Sequence, residues 1–149
     1  MPGNNDPIYS KVADIQWNAT SALFASAMTA GNVSSYDGTD ANVKLLFTAD
    51  ATNGGFVQKV RAKCCALTGT SAASVFRLFL NNGSTNATAA NNVFLGEFSL
   101  PAVANTVVAA TPDVEYTLNI AIPPGYRIYG GLGTAVTTGW AVSVVGGKY

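Results

Sequence analysis

Along most of this chain apolar and polar residues alternate one by one. In VEYTLNIAI, Val114, Tyr116, Leu118, Ile120 and Ile122 fall on one side, and Glu115, Thr117, Asn119 and Ala121 on the other. A period of two is that of a β-strand with one face on a core. In FVQKVRAKCCAL, Lys59, Arg61 and Lys63 share an outer face with Val57, while Val60, Ala62 and Cys64 point inward. Comparable runs rich in Val, Ile, Phe and Tyr, bounded by Gly, Asn and Pro, predict strands at 8–17, 43–48, 56–67, 74–80, 93–100, 114–122, 126–131 and 140–145, with a weaker one at 33–36. Residues 23–30 fit a helical turn or a strand. No long stretch has the 3.6-residue period of an amphipathic helix.

About eight such strands, joined by turn chemistry, predict an all-β fold: an antiparallel β-sandwich, jelly-roll-like. NNGSTNATAANN (81–92) reads as a solvated loop of small polar residues. PAVANTVVAATPD (101–113) is a half-apolar link able to cross between sheets. PPG (123–125) sets a tight turn, because proline fixes φ and glycine tolerates positive φ. Residues 1–7, MPGNNDP, read as an extended arm ahead of a single sandwich domain over 8–149.

Composition sharpens this picture. At 149 residues the chain has the size of one domain. Charged residues make up 11%, against about 25% in ordinary soluble domains, and eight basic side chains balance eight acidic ones. A neutral, charge-poor surface favours association over repulsion. Eight Lys and Arg in all offer little to a phosphate backbone, so no nucleic-acid partner is expected. No apolar run reaches about 18 residues, so no membrane helix is expected. The start shows no basic segment followed by an apolar one, so synthesis in the cytoplasm, or prior removal of a leader, is expected. Cys64 and Cys65 are neighbours in a predicted strand, which predicts two free thiols, one or both buried, as suits a reducing compartment.

Candidate chemistry is sparse. With no histidine, the chain lacks the usual general base, the Ser-His and Cys-His pairs and the commonest metal ligand. Carboxylate pairs stand at Asp37/Asp40 and Asp113/Glu115. The second pair has a spacing that a glycosidase could use, and SSYDGTDAN (34–42) has part of a calcium-loop composition. Both pairs also suit turns or solvated surface. The chain therefore reads as no enzyme, with no cofactor and no metal. The row Lys59, Arg61 and Lys63 reads as a solvated strand face or a docking surface for an acidic partner. Tyr126, Tyr129, Trp140 and Tyr149 suit core, subunit contacts or a sugar-binding groove.

DPIYSKVADIQW near the start, VFRLFLNNGSTNATAANNVFLGEFSL in the centre and LNIAIPPGYRIYGGLGTAVTTGWAVSVVGGKY at the end together resemble small structural proteins of tailed bacteriophages, encoded beside capsid genes. The resemblance runs over nearly the whole chain and rests on pattern and segment order. It implies a head decoration, or cement, protein: a β-sandwich, often homotrimeric, bound to the major capsid protein on the outside of the virion. It implies no catalytic residues. On this reading Pro2, Asn4, Asn5, Asp6, Pro7, Ile8 and Tyr9 of the arm, with Lys59, Arg61 and Lys63, are candidate partner contacts. Arg127, Tyr129, Trp140 and Tyr149 are candidate oligomer contacts. The alternative is a carbohydrate- or receptor-binding sandwich of a phage tail or fibre.

Overall fold

The computed structural model describes residues 12–17 as backbone, and 28–29, 31, 33–65 and 69–149 in full. Residues 1–11 lie outside the described residues, and with them the expected arm (1–7) and its candidate contacts through Tyr9, as does most of 23–30. Among the described residues there are ten strands: β1 (Val12–Trp17), β2 (Lys44–Thr48), β3 (Gly55–Cys64), β4 (Gly69–Ser71), β5 (Ser74–Asn81), β6 (Asn92–Leu100), β7 (Val103–Asn105), β8 (Asp113–Ile122), β9 (Arg127–Leu132) and β10 (Trp140–Lys148). The eight long strands fall where alternation predicts them. β4 and β7, three residues each, are too short to carry a period. Residues 33–36 form no strand.

Two four-stranded sheets make the body, in the orders β1-β10-β3-β8 and β2-β9-β5-β6, with every neighbouring pair antiparallel. β4 and β7 form a separate ribbon. The chain passes repeatedly between the sheets, and only β5 and β6 follow one another within a sheet as a hairpin. Residues 101–113 carry the crossing from β6 to β8, as their length and mixed polarity allow. The turn at Pro123–Gly125 closes with the Tyr126 amide donating to the Pro123 carbonyl at 3.1 Å.

The inner faces meet in one apolar core. Val57, Val60, Ala62, Val142 and Val144 come from the first sheet, and Leu46, Phe76, Leu78, Ile128 and Leu132 from the second. All are buried, so each Val, Leu or Phe contributes about 1.5–3 kcal/mol of transfer free energy. In β9 the core side of Gly130 is filled by Phe76: a Cβ there would stand 2.5 Å from Phe76 Cε1 and 2.9 Å from Leu46 Cδ1. Gly130 thus admits large neighbours into the core.

One expected orientation is corrected. Val57 is fully buried, not on the outer face with the lysines. A β-bulge between Val57 and Lys59 leaves Gln58 and Lys59 both facing outward, so the alternation changes phase there. Lys59, Arg61 and Lys63 keep the outer face, and Val60, Ala62 and Cys64 the inner one.

A second, smaller core lies on the outside of the second sheet. Val33 and Val43, from the segment before β2, cover Phe79 and Tyr129, with Leu45 and Phe94 beside them. Arg77 of β5 fastens this cover. Its Nη1 donates to the Val33 carbonyl, its Nε to Glu97 Oε2 at 3.1 Å, and its guanidinium lies 4.9 Å from the centre of the Tyr36 ring. Tyr36 meets Phe94 edge-to-face at 4.8 Å.

Candidate interaction surfaces

The outer face of β3 carries its three cations beside β8. Lys59 Nζ donates to Glu115 Oε1 at 2.7 Å, and Arg61 Nε contacts both oxygens of Asp113 at 2.8 and 2.9 Å. Lys63 donates to the Thr111 carbonyl. Register places Arg61 opposite Glu115 and Lys63 opposite Asp113, so both ion pairs run diagonally. Hydrogen bonding from Arg61 holds the Asp113 carboxyl below its ordinary range. The row therefore ties the edge strand β8 to the sheet through two ion pairs and one bond to a backbone carbonyl. The ion pairs occupy Asp113 and Glu115 and leave the charge of Lys63 facing no carboxylate of its own in the row.

The other carboxylates serve turns. Asp37 accepts from Ser35 Oγ at 2.5 Å, the Thr39 amide at 3.0 Å and Thr39 Oγ1 at 2.9 Å, and these bonds lower its pKa. Asp40 accepts from the Asn42 amide at 2.7 Å. Asp50 accepts from the Thr52 and Asn53 amides. Among the described residues, no group of three or more His, Cys, Asp or Glu could hold a metal ion. No helix among them is long and apolar enough to cross a membrane.

The 81–92 loop is more ordered than a chain of small polar residues suggests. Asn81 is fully buried; its Nδ2 donates to Asn92 Oδ1 and its Oδ1 accepts from the Gly83 amide. Asn92 Nδ2 reaches the Asp37 and Asn86 carbonyls at 2.9 and 2.8 Å, and Asn86 reaches the Gly38 carbonyl at 3.3 Å. The loop is thereby sewn to the cover segment. The only advance signal is the asparagine at each end of the run, which could be read equally well as solvation.

The four candidate oligomer contacts are not one surface patch. Trp140 is fully buried in the main core, because it stands at the start of β10 with Met28 bridged to it. That corrects its assignment to a surface contact. Tyr129 is buried under the cover segment, with Val33, Val43 and Phe79. Arg127 donates to the Ser84 carbonyl at 3.2 Å, and Tyr149 is half-buried beside Gly54. Tyr126 packs partly buried against the core. Cys64 is buried with its Sγ 3.4 Å from Asn105 Oδ1, and Cys65 is exposed; both are free thiols.

Instead, partly exposed apolar side chains gather where β6 and β8, the outer strands of the two sheets, flank the same end of the sandwich. Leu95 and Phe98 from β6 and Val114, Tyr116, Leu118 and Ile120 from β8 are only partly buried, and Val93 is exposed. Phe98 and Tyr116 stack across the seam at 5.4 Å and 16°. Gly96 admits the Tyr116 hydroxyl, which would lie 2.4 Å from a Cβ. Alternation marks these residues as inward-facing, but it cannot tell a central strand from an edge strand, so the seam was not legible in advance. In sequence and structure comparisons, no family model, curated protein or solved structure matches this chain.

Proposed function

We propose that the protein is a structural component of a tailed-phage virion: a decoration protein that binds the major capsid protein on the outer shell as a homotrimer and stabilises it. The strand orders β1-β10-β3-β8 and β2-β9-β5-β6 support reading the sandwich as a jelly roll, two interleaved Greek keys. The observation that carries the proposal is the β6/β8 seam. Two neighbouring edge strands present a row of half-covered apolar residues on a chain two of whose three β3 cations, Lys59 and Arg61, are held in ion pairs. Such a row suits burial against copies and a shell, and closed cyclic symmetry buries it without open-ended growth. The seam replaces Trp140 and Tyr129 as the self-association surface. The resemblance of the chain to phage decoration proteins supplies the partner. Light scattering coupled to size exclusion tests the trimer: a mass about three times the 15.3 kDa chain is expected, and a clean monomer at high micromolar concentration contradicts it.

A further inference from the structure

Each sheet has two edge strands, β1 and β8 in the first and β2 and β6 in the second. Three of these four carry one residue more than the stretch of the neighbour they pair with. In β8 the step from Thr117 to Ile120 faces the shorter step from Lys59 to Val57 on β3. In β6 Phe94 and Gly96 face the adjacent Phe79 and Leu78 of β5, so Leu95 has no residue opposite. In β2 Leu45 and Phe47 face the adjacent Tyr129 and Ile128 of β9, so Leu46 has none. β1 alone among the edges pairs without a shift, over all six of its residues. Between the inner strands β5 and β9 the register is also unbroken. Each extra residue makes a β-bulge, which bends its strand and sharpens the local twist.

Local sequence and packing hold these bulges in place. Asn119 stands at φ 49° and is the one non-glycine residue with positive φ among those described. Asparagine visits this left-handed region far more readily than branched residues do. In β2 the consecutive Leu46 and Phe47 are both buried in the main core, which a regular strand with alternating faces does not allow. In β6 Leu95 packs against that core, and the Tyr116 hydroxyl lies where a side chain on the next residue, Gly96, would stand. An edge strand serves as a template for an incoming strand only while its outward N–H and C=O groups keep an even spacing. The bulges cut β8 into 113–117 and 120–122, β6 into 92–94 and 96–100, and β2 into 44–45 and 47–48.

We infer that these bulges close the β2, β6 and β8 edges to strand addition, so that copies of this chain cannot join their sheets edge to edge there. Charged side chains are the commoner protection for an edge, and this chain has few, at 11% of its residues. NVFLGEFSL, the whole of β6, has one charge, Glu97, and no proline, and Glu97 is bonded to Arg77. Strong strand formers with so little charge are the composition of a strand that pairs with its own kind. Leu95 is the residue on which the protection of β6 turns. Without it Phe94 and Gly96 would face Phe79 and Leu78 in an unbroken ladder. Phe94 and Glu97 would keep the outer face and Phe98 the inner one, so no other side chain would have to change sides. The device protects a free chain and a shell-bound one alike, and failure of the capsid reading leaves it standing.

The test compares the wild type with a variant lacking Leu95 and with Leu95→Ala. The deletion removes the side chain and the bulge, and the alanine removes the side chain alone. Both should keep the far-ultraviolet signal of the fold and melt at similar, lowered temperatures. The deletion should form open-ended assemblies that bind thioflavin T, at concentrations where the wild type and Leu95→Ala hold one mass by light scattering. A second pair reads β8, where Asn119 is exposed. Asn119→Gly keeps the left-handed backbone and Asn119→Val disfavours it. The valine variant should assemble as the deletion does, and the glycine variant should match the wild type. Equal assembly of the deletion and Leu95→Ala overturns the inference, since lost stability then explains both. A folded deletion variant that stays at the wild-type mass overturns it as well. If the deletion does not fold, the Asn119 pair decides alone, and Asn119→Val at the wild-type mass overturns the inference.

Discussion

Gly130 shows how single residues set the packing. Its missing side chain is the space that Phe76 and Leu46 occupy, and both are fully or almost fully buried. Gly130→Ala should therefore overpack the core and cost about 1–3 kcal/mol, read as a lower urea midpoint with an unchanged slope. A variant as stable as wild type would mean that the two sheets can spread at no cost. The carboxylates set the acid limit. Asp113 has its pKa held below the ordinary 3.8, chiefly by hydrogen bonds from Arg61. A group depressed on folding adds stability that is present above its unfolded pKa and is lost as pH falls through the folded one. With no histidine in the chain, stability should stay level from about pH 5 to 7 and fall below about pH 4. Asp113→Asn should be modestly less stable at neutral pH, on the order of 0.2–1 kcal/mol for an exposed pair, and lose less on acidification. Urea midpoints at pH 7, 5 and 3 read this directly; identical acid limbs would remove Asp113 from the account. At this scale the sequence was legible where a residue acts through its own chemistry, as with the inward Cys64. It was not where a neighbour decides, as with Trp140, whose burial depends on Met28 and the core around it.

Among the elements, β5 does the most. Its inner side chains Phe76 and Leu78 build the core, and its outer side chain Arg77 fastens the 33–43 segment over Phe79 and Tyr129. A lone arginine in the apolar run SVFRLFL was a readable signal for that role, although its partners Val33 and Tyr36 lie some forty residues away. Arg77→Ala should remove a charge-assisted bond to the Val33 carbonyl and uncover the outer cluster, costing on the order of 1.5–3 kcal/mol. Arg77→Lys should recover little, since one ammonium cannot reach the Val33 carbonyl, Glu97 and the Tyr36 ring together. Denaturation midpoints test both, and full recovery by lysine would reduce the contact to charge alone. Strand positions were legible because each long strand is an alternating or apolar run bounded by Gly, Asn, Pro or other turn residues. Strand phase was not legible at Val57, because a bulge is a feature of pairing with β10 and β8 and not of β3 alone. The β4–β7 ribbon escaped for want of length.

On the scale of the whole molecule, the fold has a covered side and an uncovered one. The outer face of the second sheet is sealed by its cover segment, and the outer face of the first is tied by the Lys59–Glu115 and Arg61–Asp113 pairs. The β6/β8 seam keeps apolar groups in reach of a partner. Many modest contacts of this kind, repeated over copies on one shell, add by multivalency. All-β class and single-domain size were legible from period and length, because both are properties of the chain taken by itself. The seam was not, since it arises only when β6 and β8 become edges of two facing sheets. The proposed place of this sandwich on the outside of a phage head is open to direct imaging. Cryo-electron microscopy of particles made with and without the intact coding sequence is the test. A protruding, three-lobed density on the outer capsid surface that vanishes with the protein is expected. A difference confined to the tail or fibres, or no difference at all, would contradict it.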